Sequence, residues 1–277
     1  MESYCVLSDV HANAAALKAV KEDCGKVDHL WFLGDLFDRG NQGPQTYKQF
    51  EYWYERFPEG NRVWLAGNHD RAFAWVHNSQ AYPEWSYYFS SLDPRLKQTS
   101  EQRARGVDSS YVQATAMRTG QQSVRIGSLL AYLTHGFPVE KEPNRLVEYD
   151  LDHSPGKEAQ SYRRFHEVTG GANLWVVGHS HCQSGWLYRD SHSREETGWS
   201  ELIHNFGTTL HGDPRGGEAT AEVEVNMAEL GPNSFLIINP GSVGSPRDSL
   251  NGHLVAKYIK LEASENRLTV RFCCVRY

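Results

Sequence analysis

Five short segments rich in metal-type ligands punctuate this chain: Ser8-Asp9-Val10-His11, Gly34-Asp35-Leu36-Phe37-Asp38-Arg39-Gly40, Gly67-Asn68-His69-Asp70, Thr134-His135-Gly136 and Gly178-His179-Ser180-His181. Each follows an apolar run of strand length, as in His29-Leu30-Trp31-Phe32-Leu33, Arg62-Val63-Trp64-Leu65, Leu129 to Leu133 and Leu174 to Val177. The candidate ligands are therefore expected where strands end. Carboxylates, an amide oxygen and imidazoles together suit borderline divalent cations, and two such cations can hold a hydroxide against phosphorus. The pattern points to a dinuclear centre that hydrolyses phosphate esters.

Helical patterns lie between these strands. Asn13 to Asp23 is rich in Ala, with Asn13 read as its N-cap; Gln45 to Arg56 carries apolar or aromatic residues at helical spacing, and Lys157 to Val168 reads as a polar surface helix. Strands alternating with helices make an α/β protein, and in such sheets functional groups gather beyond the carboxyl ends of the strands. At 277 residues the chain suits a single domain over 1–277, because scattered motifs must converge. Two stretches depart from the alternation. An aromatic-rich stretch at 71–125 is expected to form a helical cap beside the site, and 185–232, rich in Gly, Thr and Glu, to form loops and edge strands. Phe235 to Ile238, His253 to Lys260 and Leu268 to Val275 read as further sheet with a closing hairpin.

The net charge of −6 would rise to about −2 with two divalent ions, and gives no support for a nucleic-acid-coating surface. Five cysteines without a CxxC pair suggest free thiols in a reducing compartment. With no basic-then-apolar start and no membrane-length apolar run, a cytoplasmic protein without a membrane partner is expected. Nothing in the sequence sets an oligomeric state.

Residue chemistry assigns the parts. Asp35 can bridge two ions, Asp9, His11 and His181 completing one site and Asn68, His135 and His179 the other. A water shared by the ions would supply hydroxide for in-line attack. His69 is the candidate general acid, Asp38 the carboxylate that orients it, and Arg39 the fork of donors for phosphate oxygens. Arg247 is a second candidate for binding substrate phosphate. Mixed nitrogen and oxygen ligands accept manganese, iron, cobalt, nickel or zinc, with manganese expected to serve best in vitro.

The motif order Asp-x-His, Gly-Asp-x-x-Asp, Gly-Asn-His-Asp, His and Gly-His-x-His resembles the calcineurin-like metallophosphoesterases across Ser8 to His181. The later block Asn239 to Asp248 resembles the glycine-rich closing segment of their bacterial phosphodiesterase-like branch. The resemblance implies a four-layer α-β-β-α sandwich of two mixed sheets flanked by helices, with the dimetal site at the strand ends and the ligand and acid roles above. It implies a phosphoesterase acting on a small phosphodiester or nucleotide. Alternatives are a dinucleoside polyphosphate hydrolase, suggested by Asp38-Arg39-Gly40 and the aromatic cap, and a nucleotide phosphomonoesterase. A non-catalytic scaffold of the same fold stands further off, since the chain keeps His69, Asp38 and seven plausible ligands.

Overall fold

A computed structural model describes residues 1–86, 89, 92–139, 142–147, 169–189, 199–205, 219–230, 234–245 and 254–277. The strands are β1 (Glu2–Leu7), β2 (His29–Phe32), β3 (Arg62–Trp64), β4 (Gln121–Ile126), β5 (Leu129–Thr134), β6 (Phe137–Val139), β7 (Glu142–Val147) and β8 (Leu174–Val177). They continue with β9 (Gln183–Arg189), β10 (Trp199–Asn205), β11 (Ala219–Asn226), β12 (Ser234–Pro240), β13 (Val255–Ala263) and β14 (Arg267–Arg276). The described α-helices are α1 (Ala14–Cys24), α2 (Gly43–Tyr54), α3 (Asn68–His77), α4 (Pro94–Arg105) and α5 (Ser109–Ala116).

Two six-stranded mixed sheets result, ordered β11-β14-β13-β1-β2-β3 and β10-β9-β12-β8-β5-β4. In the first, β1, β2 and β3 run parallel, and in the second so do β5, β8 and β12. The other strands of each sheet join it antiparallel, and β6 pairs with β7 in a separate two-stranded sheet. This is the expected α/β class with two mixed sheets and flanking helices. Alternation along β1 shows how the layers form. Tyr4 and Val6 enter the core shared with Leu133, Leu174, Val176 and Ile238 of the second sheet, whereas Cys5 and Leu7 face a core built with Leu17, Val20 and Phe50 of α1 and α2.

Helices α1 and α2 start and end close to where the apolar periodicity places them. Asn13 caps α1, its Oδ1 accepting from the Ala16 N–H at 3.0 Å. Lys157 to Val168 and Arg247 lie outside the described residues. The 71–125 stretch contains most of α3, then α4 and α5, and ends in β4. Within 185–232, most of β9 with β10 completes one edge of the second sheet, and β11 forms one edge of the first. All five cysteines are free thiols. Among the described residues no helix is long and apolar enough to cross a membrane.

Candidate metal centre

Parallel strands deliver their carboxyl ends to one edge, so the loops after β1, β2, β3, β5 and β8 meet across the two sheets. Asp9 and His11 follow β1, Asp35 follows β2, Asn68 opens α3 after β3, His135 follows β5, and His179 and His181 follow β8. The turns are sharp. Asp9, His11, Ala12, Asp35, Asp38, Arg39, His179 and His181 all adopt positive φ. These are all the positive-φ non-glycine residues of the described chain, and such backbone persists only where its surroundings over-determine it. Gly67 allows a close approach, because a Cβ there would overlap Asp35 Oδ1.

Ligand-type atoms converge in three overlapping groups: Asp9, His11 and His181; His11, Asp35 and His69; and Asp35, His135 and His179. Within each, one atom per residue lies within 4.8 Å of the others. The His11 and His181 Nε2 atoms are 3.1 Å apart, and His181 Nε2 stands 3.2 Å from Asp9 Oδ1. On the other side, His135 Nε2 stands 3.2 Å from Asp35 Oδ2 and 3.1 Å from Asn68 Oδ1, with His179 Nδ1 at 3.3 Å. Asp35 lies between the two groups.

The outer ring nitrogens explain why these contacts point to cations. His11 Nδ1–H donates to the Phe37 carbonyl at 3.0 Å, His135 Nδ1–H to that of Leu33 at 2.9 Å, and His181 Nδ1–H to that of Ser245 at 2.5 Å. A carbonyl only accepts, so each Nδ1 carries a proton, and whenever the ring is neutral its Nε2 lone pair turns inward. Lone pairs then face carboxylate oxygens and one another. Asp9 Oδ1 and Asp35 Oδ2, both buried, have no hydrogen-bond partner. Buried oxygens ordinarily find donors, so orphaned ones aimed at imidazole lone pairs fit bound cations.

Electrostatics favour positive charge between these groups. Burial raises the Asp35 carboxyl, but His135 and His69 hold it well below the usual carboxylate range. Asp9 is likewise low: burial opposes, and His181 and His11 prevail. Burial pushes His11 down to about 4, keeping it neutral, whereas at His135 the neighbouring Asp35 outweighs burial and lifts the ring to about 9.

His69 Nδ1–H donates to Asp38 Oδ2 at 2.8 Å, and its Nε2 lies 3.8 Å from Asp35 Oδ2. This places the expected acid and its carboxylate side by side. Burial opposes ionisation of Asp38, but the hydrogen bond and charge of His69 hold the carboxyl low. Arg39 is exposed, and among the described residues its guanidinium makes no hydrogen bond or ion pair. Cys182 stays outside the three groups.

Several supporting residues were assigned no such role from the sequence. Asp70 is fully buried and accepts from the N–H groups of Asp35, Leu36, Phe37 and Gly67. Its place at the end of Gly-Asn-His-Asp is a usable signal. Burial and the charge of Asp35 raise its carboxyl to about 7. Ser242 donates to the Asp9 carbonyl and accepts from the Ser245 N–H, both at 2.8 Å. Asn239 Nδ2 holds the Gly178 carbonyl at 3.0 Å and Ser180 Oγ at 2.9 Å. Helix α4 adds Ser100, whose hydroxyl donates to Asp38 Oδ2 at 2.7 Å, and Arg103, whose Nη1 lies 3.3 Å from Asp38 Oδ1. No motif marks these two.

Residues 3–183 match the family model of the calcineurin-like phosphoesterases. No curated protein matches the chain. Among solved structures, a metallophosphoesterase from Sphaerobacter thermophilus is 21% identical with a TM-score of 0.60, covering 98% of this chain and 87% of that one. A hypothetical protein from Pyrococcus horikoshii OT3 is 13% identical with a TM-score of 0.61, covering 100% and 89%. At such identities the likeness is one of fold. The family model spans every motif that brings a ligand to the strand ends, and the chain belongs to the calcineurin-like phosphoesterase family.

Proposed function

We propose that this protein is a dimetal-dependent phosphoesterase that hydrolyses a small phosphodiester or nucleotide. The observation that carries the reading is the pair of buried, orphaned oxygens, Asp9 Oδ1 and Asp35 Oδ2, each facing imidazole nitrogens of the opposite sheet. Asp9, His11 and His181 would hold one ion and Asn68, His135 and His179 the other, with Asp35 available to both. Manganese is the ion we expect to support turnover in vitro. Two bound divalent ions supply a water of lowered pKa and withdraw charge from the phosphoryl oxygens.

The chain's own residues handle the leaving group. As the bond from phosphorus to the departing oxygen breaks, its electron pair stays on that oxygen, and His69 Nε2 delivers the proton. Asp38 keeps Nδ1 protonated and the ring aimed inward, leaving Nε2 to donate. Arg39, exposed beside this pair, offers donors to non-bridging phosphate oxygens.

The test uses protein stripped of metal and reloaded with manganese, assayed on an aryl phosphodiester and on the matching monoester. Turnover that requires the metal and favours the diester is expected. On an alkyl diester, whose leaving alkoxide needs a proton, His69→Asn should lower kcat by about 10²- to 10⁴-fold with metal content unchanged. Full activity in that variant would remove the acid from His69, and no metal-dependent turnover of either ester would sink the reading.

A further inference from the structure

Helix α4 lies far from the metal motifs in sequence, yet it reaches into the centre. Ser100 and Arg103 stand 62 and 65 residues after Asp38, one helical turn apart and so on one face of α4. Ser100 is 3% exposed in a helix whose sequence is otherwise strongly polar, and Ala104 beside it is fully buried. The helix therefore buries a hydroxyl where packing alone would favour an apolar side chain.

The hydroxyl has a defined task. Asp38 Oδ2 accepts both from His69 Nδ1–H at 2.8 Å and from Ser100 Oγ–H at 2.7 Å, while Oδ1 faces Arg103 Nη1 at 3.3 Å. Donors on both oxygens fix the rotation of the carboxylate, and with it the direction of the lone pair that receives the imidazole N–H. Without these two side chains fewer donors would oppose rotation of the carboxylate about its last torsion, and any swing would carry the ring with it.

Resting on the proposed role of His69 as acid, we infer that Ser100 and Arg103 are positioning residues for proton transfer: the cap helix sets the alignment of the Asp38–His69 pair. Neither touches the candidate metal ligands, so metal loading and the attack on phosphorus are independent of them. What they govern is protonation of the leaving oxygen.

Leaving groups separate these steps. A nitrophenolate departs without a proton, whereas a simple alkoxide requires one. We would measure kcat and KM of the manganese-loaded protein on a nitrophenyl diester and on an alkyl diester, for wild type, His69→Asn, Ser100→Ala with Arg103→Ala, and Arg103→Lys. The double variant should lose at least about tenfold in kcat on the alkyl ester and stay within about twofold on the nitrophenyl ester, with KM and metal content unchanged. Arg103→Lys, keeping a donor, should fall in between. If His69→Asn shows the leaving-group discrimination and the double variant loses both substrates equally, or neither, the positioning role is overturned while the acid stands. If His69→Asn does not discriminate, the acid assignment fails and the inference falls with it.

Discussion

Asp70 carries no ligand role and touches no expected substrate, yet four backbone N–H groups from the Asp35 turn and from Gly67 converge on its two oxygens. Removing it strands those donors in the interior. Asp70→Ala should lower the unfolding free energy by about 3 kcal/mol, read by urea denaturation, and reduce bound metal because the Asp35 turn loosens. Wild-type stability in that variant would mean that water replaces the carboxylate. At this scale the sequence was informative wherever a motif marked the residue: Asp9, His11, Asp35, Asn68, His135, His179 and His181 all reach the centre, and His69 does meet Asp38. It was silent on Ser100 and Arg103, because a Ser and an Arg in a polar helix look like any solvated surface until the fold shows what they face.

At the scale of elements, α1, α2 and the parallel strands were legible because each couples a clear apolar period to a local boundary, such as Asn13 before α1. The pairing of the edge strands was not. β11 pairs with β14, and β10 with β9, partners that no local pattern specifies. Within 71–125 the helices start at polar signals that the aromatic content does not supply, with Asp93 and Asp108 capping α4 and α5. The attachment of α4 gives an element-scale prediction. Ala104→Asp places an unpaired charge at a fully buried position and should displace α4 while both sheets persist. The expected outcome is near-native circular dichroism and metal content with alkyl-ester turnover reduced at least about tenfold. Loss of metal in that variant would show that the cap also supports the ligands.

Across the whole molecule, the proposed ions would tie the two sheets together, since the ligands come from loops after β1, β2 and β3 on one side and after β5 and β8 on the other. Ligand binding to the folded state alone adds about 2.7 kcal/mol at a hundredfold excess over Kd, or a rise in Tm of about 5 °C or more for a chain of this size. Chelation should therefore lower Tm by at least that much, and manganese should restore it in a calorimetric scan. An unchanged Tm would contradict cations bridging the sheets. The sequence alone determined which residue types are offered as candidate ligands, the strands that precede them and the α/β class, because side-chain chemistry and hydrophobic period are local properties. Only the tertiary structure decided the sheet order, the inward-facing lone pairs set by the Phe37, Leu33 and Ser245 carbonyls, and the grip of α4 on Asp38. Those depend on contacts between residues distant in the chain, which no local pattern encodes.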